Sequence, residues 1–323
     1  MLKLFRKDVF MQAFIIILLA AALWWRSFAN QTAIPTQGGG YVYYILAGWL
    51  PPIVATILGF VLMLLEGFLL NMQLYKNKLI NQNTLMPMLF YVVVMSLTTN
   101  QLTLTPILIG NLFVITCIDS LMLTSTYLSL PISKTFGAAA SIAMATIFCP
   151  AMAAFLIPLI INIFNLSLYG WRDLTMIVLG LLAPYLLVET FYFLDDVMFY
   201  QNYLFVYDIT NINIVFHGTF YQWIGSLLFA LLVVIGLIAT VAVSQTKGIN
   251  FKKNTSTLLI FFIGSIWYLG YTQVVPMTSQ CFAVPMAFAT TQLFYEKKRN
   301  ETIWSILLLL IFVAAFAWNI MYP

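Results

Sequence analysis

Uncharged apolar runs about as long as a membrane is thick recur along this chain. Val9 to Trp25, Trp223 to Ser244 and Thr302 to Ile320 contain no Asp, Glu, Lys or Arg, and about 20 such residues in a helix cross a hydrocarbon core of about 30 Å. Composition excludes a water-soluble alternative. With 63% hydrophobic and 7% charged residues over 323 positions and a mean hydropathy of +0.98, too little polar surface exists to cover a globule. The runs are continuous rather than alternating strands of about ten residues, which points to helices and not a barrel. The expectation is an all-α, polytopic transmembrane helix bundle forming a single integral membrane domain over residues 1–323. Membrane lipid is the expected partner and nucleic acid is not.

Spans are expected near 9–25, 45–72, 85–98, 104–126, 173–194, 223–244, 256–273, 276–294 and 302–320. The stretch 136–168, "FGAAASIAMATIFCPAMAAFLIPLIINIFNLSL", is either one long helix or a short helical hairpin. As one helix it would be about 50 Å long and would contain two prolines. As a hairpin it turns near Cys149 and Pro150.

Basic residues decide between the two, because Lys and Arg gather on the cytoplasmic side. With the amino terminus inside, the hairpin places Lys3, Arg6, Lys7, Lys76, Lys78, Lys134, Arg172, Lys247, Lys252, Lys253, Lys297, Lys298 and Arg299 in the cytoplasm and only Arg26 outside. The single helix inverts everything from Arg172 onward and splits the 14 basic residues six to eight. The hairpin reading therefore gives about eleven membrane segments and a cytoplasmic Arg172. Lys3, Arg6 and Lys7 ahead of the first run resemble a signal peptide, but no small-residue cleavage site precedes Arg26, so the first helix is read as retained.

Two external loops follow from this topology, 26–44 and 195–222. The first carries the run Gly38-Gly39-Gly40, and the second is rich in Tyr and Phe and holds Asp195, Asp196, Asp208 and His217. Cys117, Cys149 and Cys281 lie far apart in apolar segments and suggest neither a disulfide framework nor a metal motif. Phosphate-loop, dinucleotide, zinc-protease and nucleophile-elbow patterns are absent.

Acidic groups inside a bilayer are costly and mark candidate sites. Glu66 in "LLEGFLL" and Asp119 in "TCIDSLM" both lie toward the cytoplasmic side, could face one another, and suit either proton or cation binding or a helix-to-helix hydrogen bond. Glu189 lies near the outer end of its segment, and Glu189 and Asp196 share a helical face while Asp195 points about 100° away. Glu189, Asp195 and Asp196 are the candidate catalytic carboxylates, able to act as a general base or to hold a divalent cation beside a lipid phosphate. A solvated helix end explains the two aspartates equally well. Arg26, His217, Tyr203 and Tyr207 are the candidate substrate-binding residues, the aromatic ones suited to stacking on a sugar or to an interfacial belt.

The segments "LFRKDVF", "WLPPIVATILGFVLMLLEGFLLN", "KNKLINQNTLMPMLFYV" and "GWRDLTMIVLGLLAPYLL" resemble a family of polytopic inner-membrane proteins of Bacteroidetes, a likeness over roughly the first 200 residues that brings no biochemical role with it. The unit from Phe136 to Leu187 is also similar in plan to the middle of GT-C type glycosyltransferases and lipid-linked sugar polymerases. There a small-residue helix, a break, a returning helix, a basic cytoplasmic turn and a long helix form the lipid-facing half of the site. This likeness implies sugar transfer from a polyprenyl-phosphate donor in envelope glycan assembly at the bacterial inner membrane. Such enzymes carry an acidic residue in their first external loop, whereas 26–44 contains neither Asp nor Glu. The base would then come from Glu189, Asp195 or Asp196. A noncatalytic subunit scaffolding an envelope assembly or secretion complex is the alternative, and a transporter using Glu66 and Asp119 is the third.

Overall fold

The computed structural model describes residues 9–29, 34–35, 39–80, 84–97, 102–126, 132–166, 170–194, 220–271 and 279–295. Among the described residues the regular structure is entirely helical. The helices are α1 (Val9–Ala29), α2 (Tyr41–Trp49), α3 (Pro52–Lys76), α4 (Met86–Leu97), α5 (Pro106–Thr126) and α6 (Ile132–Phe148). They continue with α7 (Leu156–Asn165), α8 (Trp171–Leu194), α9 (Phe220–Thr246), α10 (Ile249–Tyr271) and α11 (Ala283–Tyr295). Short 3-10 turns, Pro150–Phe155 and Ser279–Phe282, lead into α7 and α11.

Helices α1, α3 and the Trp171–Thr190 part of α8 are long and apolar enough to cross a membrane. Their outward faces are apolar as well. On α3 the residues Ile57, Val61, Leu65, Phe68 and Met72 are exposed, while Ala55, Gly59, Met63, Glu66 and Leu70 are buried. A face of large aliphatic side chains turned away from the core suits lipid and not water, and an α-helix satisfies its own backbone there. The chain is a membrane protein built as a helical bundle.

At its centre lie two short helices. Every residue from Thr84 to Ser96 is buried, and so is every residue from Gln280 to Phe294 except Met286. Helices α4 and α11 therefore have no lipid-facing side; they pack on one another, with the Phe90 and Phe294 rings 5.1 Å apart. The longer helices shield them from lipid.

Side-chain and main-chain bonds sort the chain between two ends. Gly40, Phe148, Tyr43 and Leu104 meet at one end, where the Gly40 N–H donates to Phe148 O at 2.8 Å and the Tyr43 hydroxyl to Leu104 O at 2.8 Å. At the other, the Leu85 N–H donates to Gln12 Oε1 and the Gln292 amide to Leu79 O. Helix α1 thus starts at the Leu85 end and finishes, with Arg26 in its last turn, at the Gly40 end.

The ambiguous stretch is a hairpin, as expected. Helix α6 stops at Phe148, Cys149 is extended, and Pro150 opens the 3-10 turn, since proline lacks an N–H and restricts the residue before it. Gly180 of α8 lies against Phe136 and Ala139 of α6, and Tyr185 hydrogen-bonds Thr146. Numbers rise together along both helices, so α6 and α8 run parallel and the chain between them comes back. Arg172 consequently lies at the same end of the bundle as Lys134.

Four boundaries differ from the sequence reading, one being the span placed at 276–294, whose helix starts only at Ala283 after the 3-10 turn Ser279–Phe282. The span placed at 45–72 is two helices, α2 and α3, parted at Leu50 and Pro51, because consecutive prolines at 51 and 52 withdraw two donors and hold the chain extended. The loop placed at 26–44 is shorter, since α1 runs on through Arg26 to Ala29 and α2 begins at Tyr41. Helix α10 begins at Ile249 rather than 256 and takes Lys252 and Lys253 into its first turns. In the last turns of α1, Trp24 is buried against Phe28 and Phe60, while Trp25 is exposed.

Candidate functional site

Four acidic residues fall among the described residues: Glu66, Asp119, Asp173 and Glu189. Only Glu66 is fully buried. It projects from the middle of α3 toward α4, where the Tyr91 hydroxyl donates to Oε2 at 2.5 Å. The Leu112 main chain of α5 lies beside the carboxyl, yet Oε1 has no hydrogen-bond partner. Tyr91 is also fully buried.

Further polar groups continue from this pair. The Asn111 side chain lies beside the Tyr91 hydroxyl; its Nδ2 donates to the Gln280 carbonyl at 3.0 Å, and its Oδ1 has no partner. The Thr105 hydroxyl donates to Gln280 Oε1 at 2.9 Å and accepts from the Leu108 N–H at 3.1 Å. Thr105 is thus the N-cap of α5, with Pro106 at the first helical position where a missing N–H costs nothing. Asn111, Thr105 and Gln280 are all buried. The polar row runs from Glu66 toward the end of the bundle that holds Leu104.

Glu66 and Asp119 are not partners. Leu112, the α5 residue level with Glu66, precedes Asp119 by two turns, about 10 Å along the axis. Asp119 is partly buried with Oδ1 unpartnered. Nearby, the Thr116 hydroxyl bonds Ser141 at 3.1 Å and ties α5 to α6.

Glu189 sits in the last third of α8, partly buried. It is one turn beyond Tyr185 on the same flank, and the Tyr185 and Thr146 hydroxyls are 2.5 Å apart. Because α8 runs parallel to α6, Glu189 lies toward the end where Phe148 meets Gly40. There Gly40 is required by close approach: a Cβ on it would lie 2.0 Å from the Ile147 carbonyl oxygen. Arg26, partly buried, is at this end too. Asp195, Asp196, Tyr203, Tyr207 and His217 lie outside the described residues. Among the described residues no group of three or more His, Cys, Asp or Glu could hold a metal ion.

Sequence reasoning missed Tyr91, Asn111, Gln280 and Thr105 around Glu66, and Tyr185 and Thr146 below Glu189. A signal existed for Asn111, an amide within the apolar run "PILIGNLFVI", and for Tyr185, four residues before Glu189. Tyr91 carries none, because a tyrosine in an apolar run looks like packing.

No protein-family model, curated protein or solved structure matches this chain.

Proposed function

We propose that the chain is a multi-pass protein of a bacterial inner membrane, with eleven membrane segments and a cytoplasmic amino terminus. It would act in envelope glycan assembly as a GT-C-like transferase that moves a sugar from a polyprenyl-phosphate donor. The observation that carries this reading is the parallel pairing of α6 and α8 around the returning α7. That pairing carries Glu189 to the end of the bundle where the Gly40 segment meets Phe148 and where α1 finishes with Arg26.

In this reading the donor enters sideways from lipid along the apolar outer face of α8, where Val178, Leu182, Leu186 and Leu187 are exposed. A carboxylate among Glu189, Asp195 and Asp196 takes the proton of an acceptor hydroxyl. The oxygen bonds to the anomeric carbon, and the polyprenyl phosphate leaves. Arg26 faces the phosphate, for which a planar guanidinium is suited.

The test is the profile of lipid-linked envelope sugars in a deletion strain complemented with wild type, Glu189→Gln, Asp195→Asn or Asp196→Asn, with protein abundance measured for each. The enzyme reading expects one variant, present at normal level, to accumulate the same precursor as the deletion. If all three restore the wild-type profile, the noncatalytic scaffold takes its place. That second reading draws on the absence of any Asp or Glu from 26–44.

A further inference from the structure

Glu66 poses a problem that the transferase reading does not use. A carboxylate removed from water needs a cation or several donors to remain charged. Here Oε2 receives the hydroxyl of a neutral tyrosine, the Leu112 main chain lies beside the carboxyl as the other polar neighbour, and Oε1 has no hydrogen-bond partner, so no positive charge reaches the group. The titratable side chains around the pair are Tyr91 itself, on α4, and Cys281, which lies near Tyr91; neither carries positive charge. Something must compensate Glu66, and it is small.

Two occupants are chemically open, a proton and a metal cation. A hard cation takes about six oxygen ligands. Beyond its own two oxygens, the side-chain oxygens that the hydrogen-bonded row links to Glu66 are the Tyr91 hydroxyl and, beyond it, Asn111 Oδ1. The hydroxyl is already committed to Glu66. A proton needs a single oxygen, and Oε1 is that oxygen.

Access is directional. From Glu66 the row Tyr91, Asn111, Gln280 and Thr105 leads, through buried polar side chains on α4, α5 and the 3-10 turn before α11, toward the Leu104 end of the bundle. Asn111 Oδ1, buried and unpartnered within that row, is free to accept a further hydrogen bond. In the opposite direction the next buried polar group on α3 is Gln73, whose amide is engaged with the Ile115 carbonyl at 3.2 Å. No hydrogen bond among the described residues joins Gln73 to Glu66.

We propose that Glu66 is a proton-binding site, supplied through Tyr91, Asn111, Gln280 and Thr105 from the Leu104 end of the bundle. An O–H bond forms between the carboxylate and a proton delivered from the aqueous phase at that end, and it breaks when the proton returns by the same row. The site is separate from Glu189 and stands whether or not sugar transfer does.

The test is infrared spectroscopy of the purified full chain in lipid bilayers, transferred from H2O to D2O. Wild type should show a protonated-carboxyl stretch that is missing from Glu66→Gln, and Tyr91→Phe should displace that stretch without abolishing it. Transfer to D2O should shift the band, and Gln280→Leu should slow the shift about tenfold, which corresponds to about 1.4 kcal/mol on the exchange barrier. Gln73→Leu should leave the exchange rate alone.

The proposal is overturned if wild type lacks the band, or if Glu66→Gln retains all of it. A band that sodium removes from wild type assigns the site to a cation and also overturns it. Slowing by Gln73→Leu in place of Gln280→Leu reverses the direction of access. Should Glu66→Gln fail to fold, the displacement in Tyr91→Phe identifies the band, and a band indifferent to Tyr91 rejects the assignment.

Discussion

The main-chain N–H of Gly40 donates to the carbonyl oxygen of Phe148 at 2.8 Å, joining the segment before α2 to the last turn of α6. A helix end leaves its final carbonyls without intrahelical partners. Here a strand of loop backbone supplies one, which it can do only by coming very close.

Gly40→Ala tests that closeness. The added Cβ would lie 2.0 Å from the Ile147 oxygen, a main-chain atom that cannot swing aside. The loop must lift, losing a hydrogen bond and its packing, for an expected cost of about 1–3 kcal/mol. Thermal unfolding in detergent should show a lower midpoint than wild type. Gly48→Ala, where an added Cβ meets nothing within 4 Å, should leave the midpoint in place.

The return of the chain between α6 and α8 sets the sides on which charged residues are reached. Single cysteines replacing Lys134 and Arg172, in a background where Cys117, Cys149 and Cys281 are serine or alanine, should both react with a membrane-impermeant thiol reagent from the cytoplasmic side. A cysteine at position 26 should react from the other side. Labelling of positions 134 and 172 from opposite faces would contradict the parallel register of Gly180 on Ala139 and Tyr185 on Thr146.

The tie between Tyr91 and Glu66 has a measurable energy. Removing the hydroxyl leaves a buried carboxyl without its donor, so Tyr91→Phe should cost about 1–3 kcal/mol. Once Glu66 is replaced by Leu the same change should cost much less, since no acceptor is then stranded. A double-mutant cycle on unfolding free energy should return a coupling of about 1 kcal/mol or more. A coupling near zero would mean that Tyr91 contributes only packing.

Fold class was legible because long apolar runs leave little choice of architecture, and the hairpin because proline at 150 and the sides of the basic residues agree. The break before α3 was equally present, in the pair Pro51-Pro52, but an uncharged, largely apolar run from Ile45 to Leu65 concealed it. The partner of Glu66 was not legible at all. Depth along a helix follows from counting residues, which is why Glu66 and Asp119 seemed to be neighbours. The face a helix presents depends on which other helices pack around it. Where lipid and core side chains are both apolar, the sequence has little amphipathic pattern from which to read that. Helices α4 and α11 are the extreme case, buried on every side and so without any preferred face in their sequences. The candidates Asp195, Asp196, Tyr203, Tyr207 and His217 fall outside the described residues, and of the proposed site only Glu189 and Arg26 are described.

The seam between α6 and α8 is where structure and proposed chemistry meet, and Gly180 controls it. A Cβ at this position would lie 2.6 Å from the Phe136 carbonyl oxygen and 3.0 Å from Ala139 Cβ. Small residues let helices in a membrane approach closely enough for dispersion to hold them, and Gly180→Val should force the pair apart. Tyr185 would then leave Thr146, and Glu189, one turn on, would swing away from the Gly40 end. Envelope-sugar profiles should therefore show Gly180→Val behaving like the deletion even when its abundance is normal. Leu174→Val, at an exposed residue near the start of the same helix and outside the residues named for donor entry, should restore the wild-type profile. If Gly180→Val also restores it at normal abundance, the geometry of this seam is irrelevant to function, and the transferase reading loses the observation on which it rests.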